Sequence, residues 1–125
     1  MQDLPAAEEL IDAVREFLTE SAMPELSGRT RFHARVAANV LGIVSRQLEM
    51  GEQSDEAEAD RLRALLVQDG SLAQLNEVLC RRIRTGEIGV DDAPLVEHLW
   101  QTTLAKLAID QPSYAAYRRI VSSGE

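Results

Sequence analysis

Apolar residues recur every three or four positions along most of this chain, the spacing of one face of an α-helix. No strand-like alternation of useful length interrupts the pattern. The clearest stretch runs over residues 29–50, where Phe32, Val36, Val40, Ile43, Val44 and Leu48 fall on one broad arc at 100° per residue. Ala37 and Leu41 widen that arc. So wide a surface predicts a central helix touched by several neighbours. His33, Asn39 and Gln47 lie inside the arc, and a buried polar group without a partner costs about 1–3 kcal/mol. Each is therefore expected to have one.

A second broad stripe follows at Val96, Leu99, Trp100, Thr103, Leu104 and Leu107, extended on one side by Leu95, Thr102 and Ile109. The two stripes are expected to lie against each other at the heart of a compact bundle and to supply most of its core. Residues 2–4 read as a frayed lead-in. Pro5 suits the first turn of a first helix carrying Leu10, Ile11, Val14, Phe17 and Leu18, and Met23-Pro24 is expected to end it. Ser27 or Thr30 is expected to cap the central helix, and Gly51 to stop it. Ser54 or Asp55 then opens a third helix with Leu62, Leu65 and Leu66. A fourth, with Leu72, Leu75, Leu79 and Ile83, begins after Asp69-Gly70-Ser71 and ends at Thr85-Gly86. Asp91 or Asp92 caps the fifth, with Pro94 in its first turn, and Pro112 breaks it. Tyr114 and Tyr117 mark a short last helix within 113–121, followed by a disordered tail. The short connections imply antiparallel neighbours. The predicted fold is all-α, an antiparallel helical bundle of four main helices plus one or two short ones, in a single helical domain 1–125 with an ordered core of about 5–121.

A length of 125 residues fits one domain and can bury a core without staples. The net charge of −8 argues against a nucleic-acid binder, which needs a basic face, and against adhesion to an anionic membrane. No stretch reaches the roughly 18 apolar residues of a membrane span, and the N-terminus lacks the basic and apolar regions of a signal peptide. A single cysteine, Cys80, cannot form an internal disulfide and favours a reducing, cytoplasmic setting. Two charged clusters admit two readings each. Glu49, Glu52, Asp55, Glu56, Glu58 and Asp60 form either a docking surface for a basic partner or a solvated loop and acidic helix start. Arg81, Arg82 and Arg84 either hold an anion or compensate a helix C-terminus.

Candidate chemistry is sparse. His33, His98 and Cys80 stand far apart, so no metal site is expected. His98 is placed on the polar side of its helix, and His33 among core residues. No nucleophile elbow, phosphate-cradling glycine loop or acid–base pair is legible, and no cofactor is implied. Two polar sets remain. Arg35, Asn39, Gly42 and Arg46 share one edge of the central helix, where the missing side chain of Gly42 lets a backbone or ligand approach. Two guanidiniums beside an amide suit a carboxylate or phosphate, or else pair with acids of a neighbouring helix. Lys106, with Asp110, Pro112 and Tyr114, lies on an apolar arc. There it is either reactive through a lowered pKa or laid along the core with its ammonium in water.

The segments Phe-His-Ala-Arg-Val-Ala-Ala-Asn-Val-Leu (32–41) and Leu-Ala-Lys-Leu-Ala-Ile-Asp-Gln-Pro-Ser-Tyr (104–114) resemble the signature stretches of a bacterial family of small, helical, uncharacterised proteins. The resemblance covers about residues 2–114. Members tend to be encoded beside aminoglycoside-phosphotransferase-like kinases and acyl-CoA dehydrogenase-like enzymes. The resemblance implies such a protein as a partner and brings no catalytic residues with it.

Taken together, these readings predict a non-catalytic accessory or protein-interaction module, partnering a phosphotransferase-like kinase or a second copy of itself as a homodimer. The alternative is a small-molecule binding domain for an anionic or acyl metabolite, with His33, Arg35, Asn39, Arg46 and Lys106 as contacts. Catalysis through Lys106 or His33 has the least support.

Overall fold

The computed structural model describes residues 3–124. The fold is all-α, with no strand among those residues. Helix α1 spans Ala7–Glu16 and continues as a π-helical segment, Phe17–Ala22, into one further α-turn, Met23–Glu25. Helix α2 spans Gly28–Leu66, α3 Leu72–Arg84, α4 Ala93–Asp110 and α5 Ala115–Ser123. The chain divides into two compact units, Met1–Gly51 and Glu52–Glu125, here called the N-terminal and C-terminal units.

Several boundaries follow local chemistry. Ser71 accepts from the Gln74 backbone N–H at 3.3 Å, and the Gln74 side chain accepts from the Ser71 N–H at 3.0 Å. This reciprocal box opens α3 at the place expected for its start, with Gln74 as a partner the sequence reading did not name. Thr85 and Gly86 close it, with Gly86 at φ +75°. Asp92 holds the N-cap position of α4, but its carboxylate turns back to the Gly89 N–H at 2.9 Å.

Other boundaries correct the sequence reading. Pro5 precedes α1, whose first turn is closed by Glu9 accepting from the Ala6 N–H at 2.9 Å. Met23-Pro24 does not end the first helix. The Met23 N–H bonds five residues back, to the Leu18 carbonyl, and Pro24 is carried within the final α-turn. The wider π spacing falls where the proline ring would otherwise meet the carbonyl four residues earlier.

Gly51 does not stop the central helix. The predicted second and third helices are one helix of 39 residues, and the acidic stretch is helical throughout. Glu, Gln and Ala are strong helix formers, and one glycine costs only about 1 kcal/mol. The helix ends at Val67, held in the left-handed region at φ +51° while the Gln68 N–H reaches the Arg63 carbonyl at 3.3 Å. The tail expected to be disordered is helical through Ser123. Ser122 and Ser123 complete α5, their hydroxyls donating to the Arg118 and Arg119 carbonyls. Gln2 and Glu125 lie outside the described residues.

The core is not where the two predicted stripes put it. Leu62 and Leu66 of α2, Leu75, Val78 and Leu79 of α3 and Leu95 of α4 form a buried cluster in the C-terminal unit, with Leu65, Leu72 and Ile88 packed against it. Phe32, Val36, Val40, Val44 and Leu48 are exposed, as are Val96, Leu99 and Trp100. In the N-terminal unit, Ala38 is the one buried hydrophobic side chain among the described residues.

Candidate interaction surface

The polar edge of α2 is partly assembled. Ser45 Oγ donates to Asp12 Oδ1 at 3.3 Å, and Arg15 Nη1 bonds the same oxygen at 3.2 Å. A Cβ at the buried Gly42 would lie 3.3 Å from Arg46 Nη1 and 3.4 Å from the Arg15 guanidinium. What approaches the missing side chain of Gly42 is therefore Arg15 of α1, with Arg46 beside it. Arg35 and Asn39, predicted on the same edge, are exposed. The ion pair beside this edge is Arg15 with Asp12, three residues apart within α1, and neither belonged to the predicted set.

The two histidines exchange the places predicted for them. His33 is exposed, with Nε2 accepting from Arg29 Nε at 3.2 Å and its ring edge-on to Phe32 at 5.7 Å. His98 is buried, only 3 % exposed. Burial holds its pKa below the usual 6.5, Arg61 lowers it further, and Glu58 opposes both. Around it in the C-terminal unit, Asn76 donates to Glu58 Oε1 at 2.9 Å and Arg61 Nη2 donates to Thr102 Oγ1 at 3.3 Å. His98 Nδ1 and Arg61 Nε are buried with no hydrogen-bond partner among the described residues.

Leu95, His98, Thr102, Ala105 and Ile109 are the buried or half-buried face of α4, at steps of three and four. That spacing was available in the sequence. It did not stand out because α4 is apolar on nearly every side, so its periodicity singles out no face. Lys106 and Asp110 are exposed, and no ion pair joins them among the described residues. A surface hollow beside α5 is lined by Pro112, Tyr117, Arg118, Arg119 and Ser122, none of them a predicted site residue.

The prominent surface feature of the N-terminal unit is apolar. Phe32, Val36, Val40, Val44 and Leu48 stand at steps of four along α2, each 40–60 % exposed. Gly42 and Ser45, which carry the contacts with α1, lie roughly 140–160° around the helix from Val40. The row therefore faces away from α1. Contiguous apolar surface of this kind marks interaction sites in folded proteins. Charged residues lie near its two ends in sequence, Arg29, Arg31 and Arg35 toward the start and Glu49 just past Leu48.

No helix among the described residues is long and apolar enough to cross a membrane. Comparison with curated proteins and with solved structures finds no match. The sequence does match a family described as a domain of unknown function, DUF6285, over residues 24–114. That span takes in all of α2, α3 and α4, with the apolar row and the buried His98, and leaves α1 and α5 outside. The match covers well over half of the chain, which therefore belongs to the DUF6285 family.

Proposed function

We propose that this protein is a non-catalytic interaction module whose docking surface is the apolar row of α2. The observation that carries this reading is the exposure of Phe32, Val36, Val40, Val44 and Leu48 on one side of a helix whose other side already carries α1. Each of the five is already about half covered, so a partner that buried it fully would add about half of the roughly 1.5–3 kcal/mol of a complete burial. The row is convex, so it suits another helix better than a small molecule, which needs a concave site.

One occupant this reading admits is a second copy of the chain, giving a homodimer. The resemblance to a bacterial family encoded beside phosphotransferase-like kinases and acyl-CoA dehydrogenase-like enzymes supplies the competing occupant. A lone, exposed Cys80 fits a reducing, cytoplasmic setting for either complex.

The test is the double variant Val36→Ser/Val44→Ser. It is expected to keep its helicity and its urea midpoint while losing association in sedimentation and in co-purification with the kinase-type neighbour. Unchanged association in both assays would remove the row from the function. The alternative role, binding of an anionic or acyl metabolite at Arg35, Asn39 and Arg46, predicts a thermal shift with phosphorylated or acyl-CoA compounds at millimolar concentration. Our reading predicts none.

A further inference from the structure

We propose that the buried polar cluster of the C-terminal unit is a proton-operated latch: one proton taken up by His98 undocks α4 from α2 and α3, and Asn76 sets how readily this happens by tying up Glu58. Three observations carry it, none of them drawn from the apolar row of α2.

The first is the burial of His98. It lies on the buried face of α4, 3 % exposed. The two charged groups that act on its ring both belong to α2, and Arg61 acts more strongly than Glu58. α3 contributes the neutral Asn76 to the cluster, and α4 the neutral Thr102. An imidazolium here would be a second cation beside the Arg61 guanidinium, away from water. Like charge and lost hydration both act against it. His98 Nδ1 has no hydrogen-bond partner among the described residues, so a proton placed there would meet no acceptor.

The second is that the acid acting on the ring is already held. Asn76 Nδ2 donates to Glu58 Oε1 at 2.9 Å and to the Leu72 carbonyl of its own helix at 3.3 Å, which ties the carboxylate to α3. No ion pair joins Glu58 to His98 or to Arg61 among the described residues. Glu58 therefore opposes the effect of burial and of Arg61 without cancelling it.

The third is which helix can leave. α2 gives Leu62 and Leu66 to the core cluster, α3 gives Leu75, Val78 and Leu79, and α4 gives Leu95. α4 thus brings the least to that cluster, and the Arg61–Thr102 hydrogen bond fastens its polar stretch to α2. Non-helical turns bound it at residues 85–92 and 111–114. With α4 undocked, the imidazolium is in water and the leucines of α2 and α3 stay packed. Each opening takes up one proton. Between pH 6.5 and the lowered native midpoint, the open population should therefore rise about tenfold per pH unit.

The test is amide hydrogen exchange of the full chain at pH 7.5 and 5.5, corrected for intrinsic exchange, together with an NMR titration of the imidazole. His33→Gln leaves His98 as the sole histidine. In that chain His98 should titrate below 6.5. Protection of the α4 amides should fall by up to about tenfold on acidification, and that of α1 and α3 by less than about twofold. His98→Gln should abolish the fall. Asn76→Ala, which frees Glu58 to meet an imidazolium, should move the His98 midpoint upward and shrink the fall. Glu58→Gln should move the midpoint downward.

A loss of protection shared equally by α1 and α3, a fall that survives His98→Gln, or a His98 midpoint at or above 6.5 each overturns the latch. If His98→Gln does not fold, the midpoints of Asn76→Ala and Glu58→Gln decide. Midpoints unmoved in both variants overturn the proposal, and opposite shifts support it.

Discussion

One helix, α2, runs through both units and is used in opposite ways. In the C-terminal unit its Leu62 and Leu66 are sealed against α3 and α4, at 0 % and 2 % exposure. In the N-terminal unit its larger apolar surface faces outward, and what it turns toward α1 is Gly42 and Ser45. Small residues let α1 come close but bury little area, and the hydrogen bond that crosses to α1 there runs from Ser45 to Asp12. Apolar content alone does not say which face of a helix becomes core. The face that meets large apolar partners does.

This contrast predicts very unequal responses to truncation. Leu75→Ala in the C-terminal unit should cost about 2–5 kcal/mol, because Leu75 is fully buried and its removal leaves a cavity. The exposed Val40→Ala should cost under about 1 kcal/mol in the monomer. Urea midpoints of the two variants would measure the gap, and equal losses would erase the distinction between the units.

Acid should act through the C-terminal unit. The fold holds His98 neutral, with its pKa below 6.5. The unfolded chain binds a proton near 6.5, so below that pH it carries more protons than the native state. Stability should therefore fall as pH drops through 6.5 and level off below the lowered native value. Urea unfolding at pH 7.5 and 5.5 would show this, and His98→Gln should flatten the difference. An equal pH dependence in that variant would assign the effect elsewhere.

Smaller gains are expected where the backbone of α2 carries a residue poorly suited to its conformation. Val67, β-branched at φ +51°, is strained, and Val67→Gly should raise stability by about 1 kcal/mol. Gly51→Ala should add about 0.5–1 kcal/mol, since only the flexible Gln47 side chain has to move aside. Gly42→Ala should gain no more than Gly51→Ala, because the Arg46 guanidinium, 3.3 Å from the new Cβ, must give by a few tenths of an ångström. Thermal unfolding of the three variants would rank them.

Much of the local structure was legible in the chain. Ser71 with Gln74, Asp92 with Pro94, and Gly86 mark helix ends through short-range hydrogen bonds and backbone limits that a few neighbouring residues determine. The all-α class follows from the three- and four-residue spacing. The end of α2 was not legible, because Val67 takes the place where a glycine is usual and Gly51 sits mid-helix. The exchange of His33 and His98 was hidden by broad apolar arcs, on which many residues qualify equally for burial.

The sequence by itself determined helices, most of their caps, and an acidic chain with apolar rows. Tertiary structure alone decided which rows are covered. It closed Leu62, Leu66, Leu75, Val78, Leu79 and Leu95 into a core, drew His98 and Arg61 inside with them, and left residues 32, 36, 40, 44 and 48 in water. The reason is physical. Helix formation is settled within four residues along the chain, whereas burial depends on which distant surface arrives opposite, and periodicity carries no record of that.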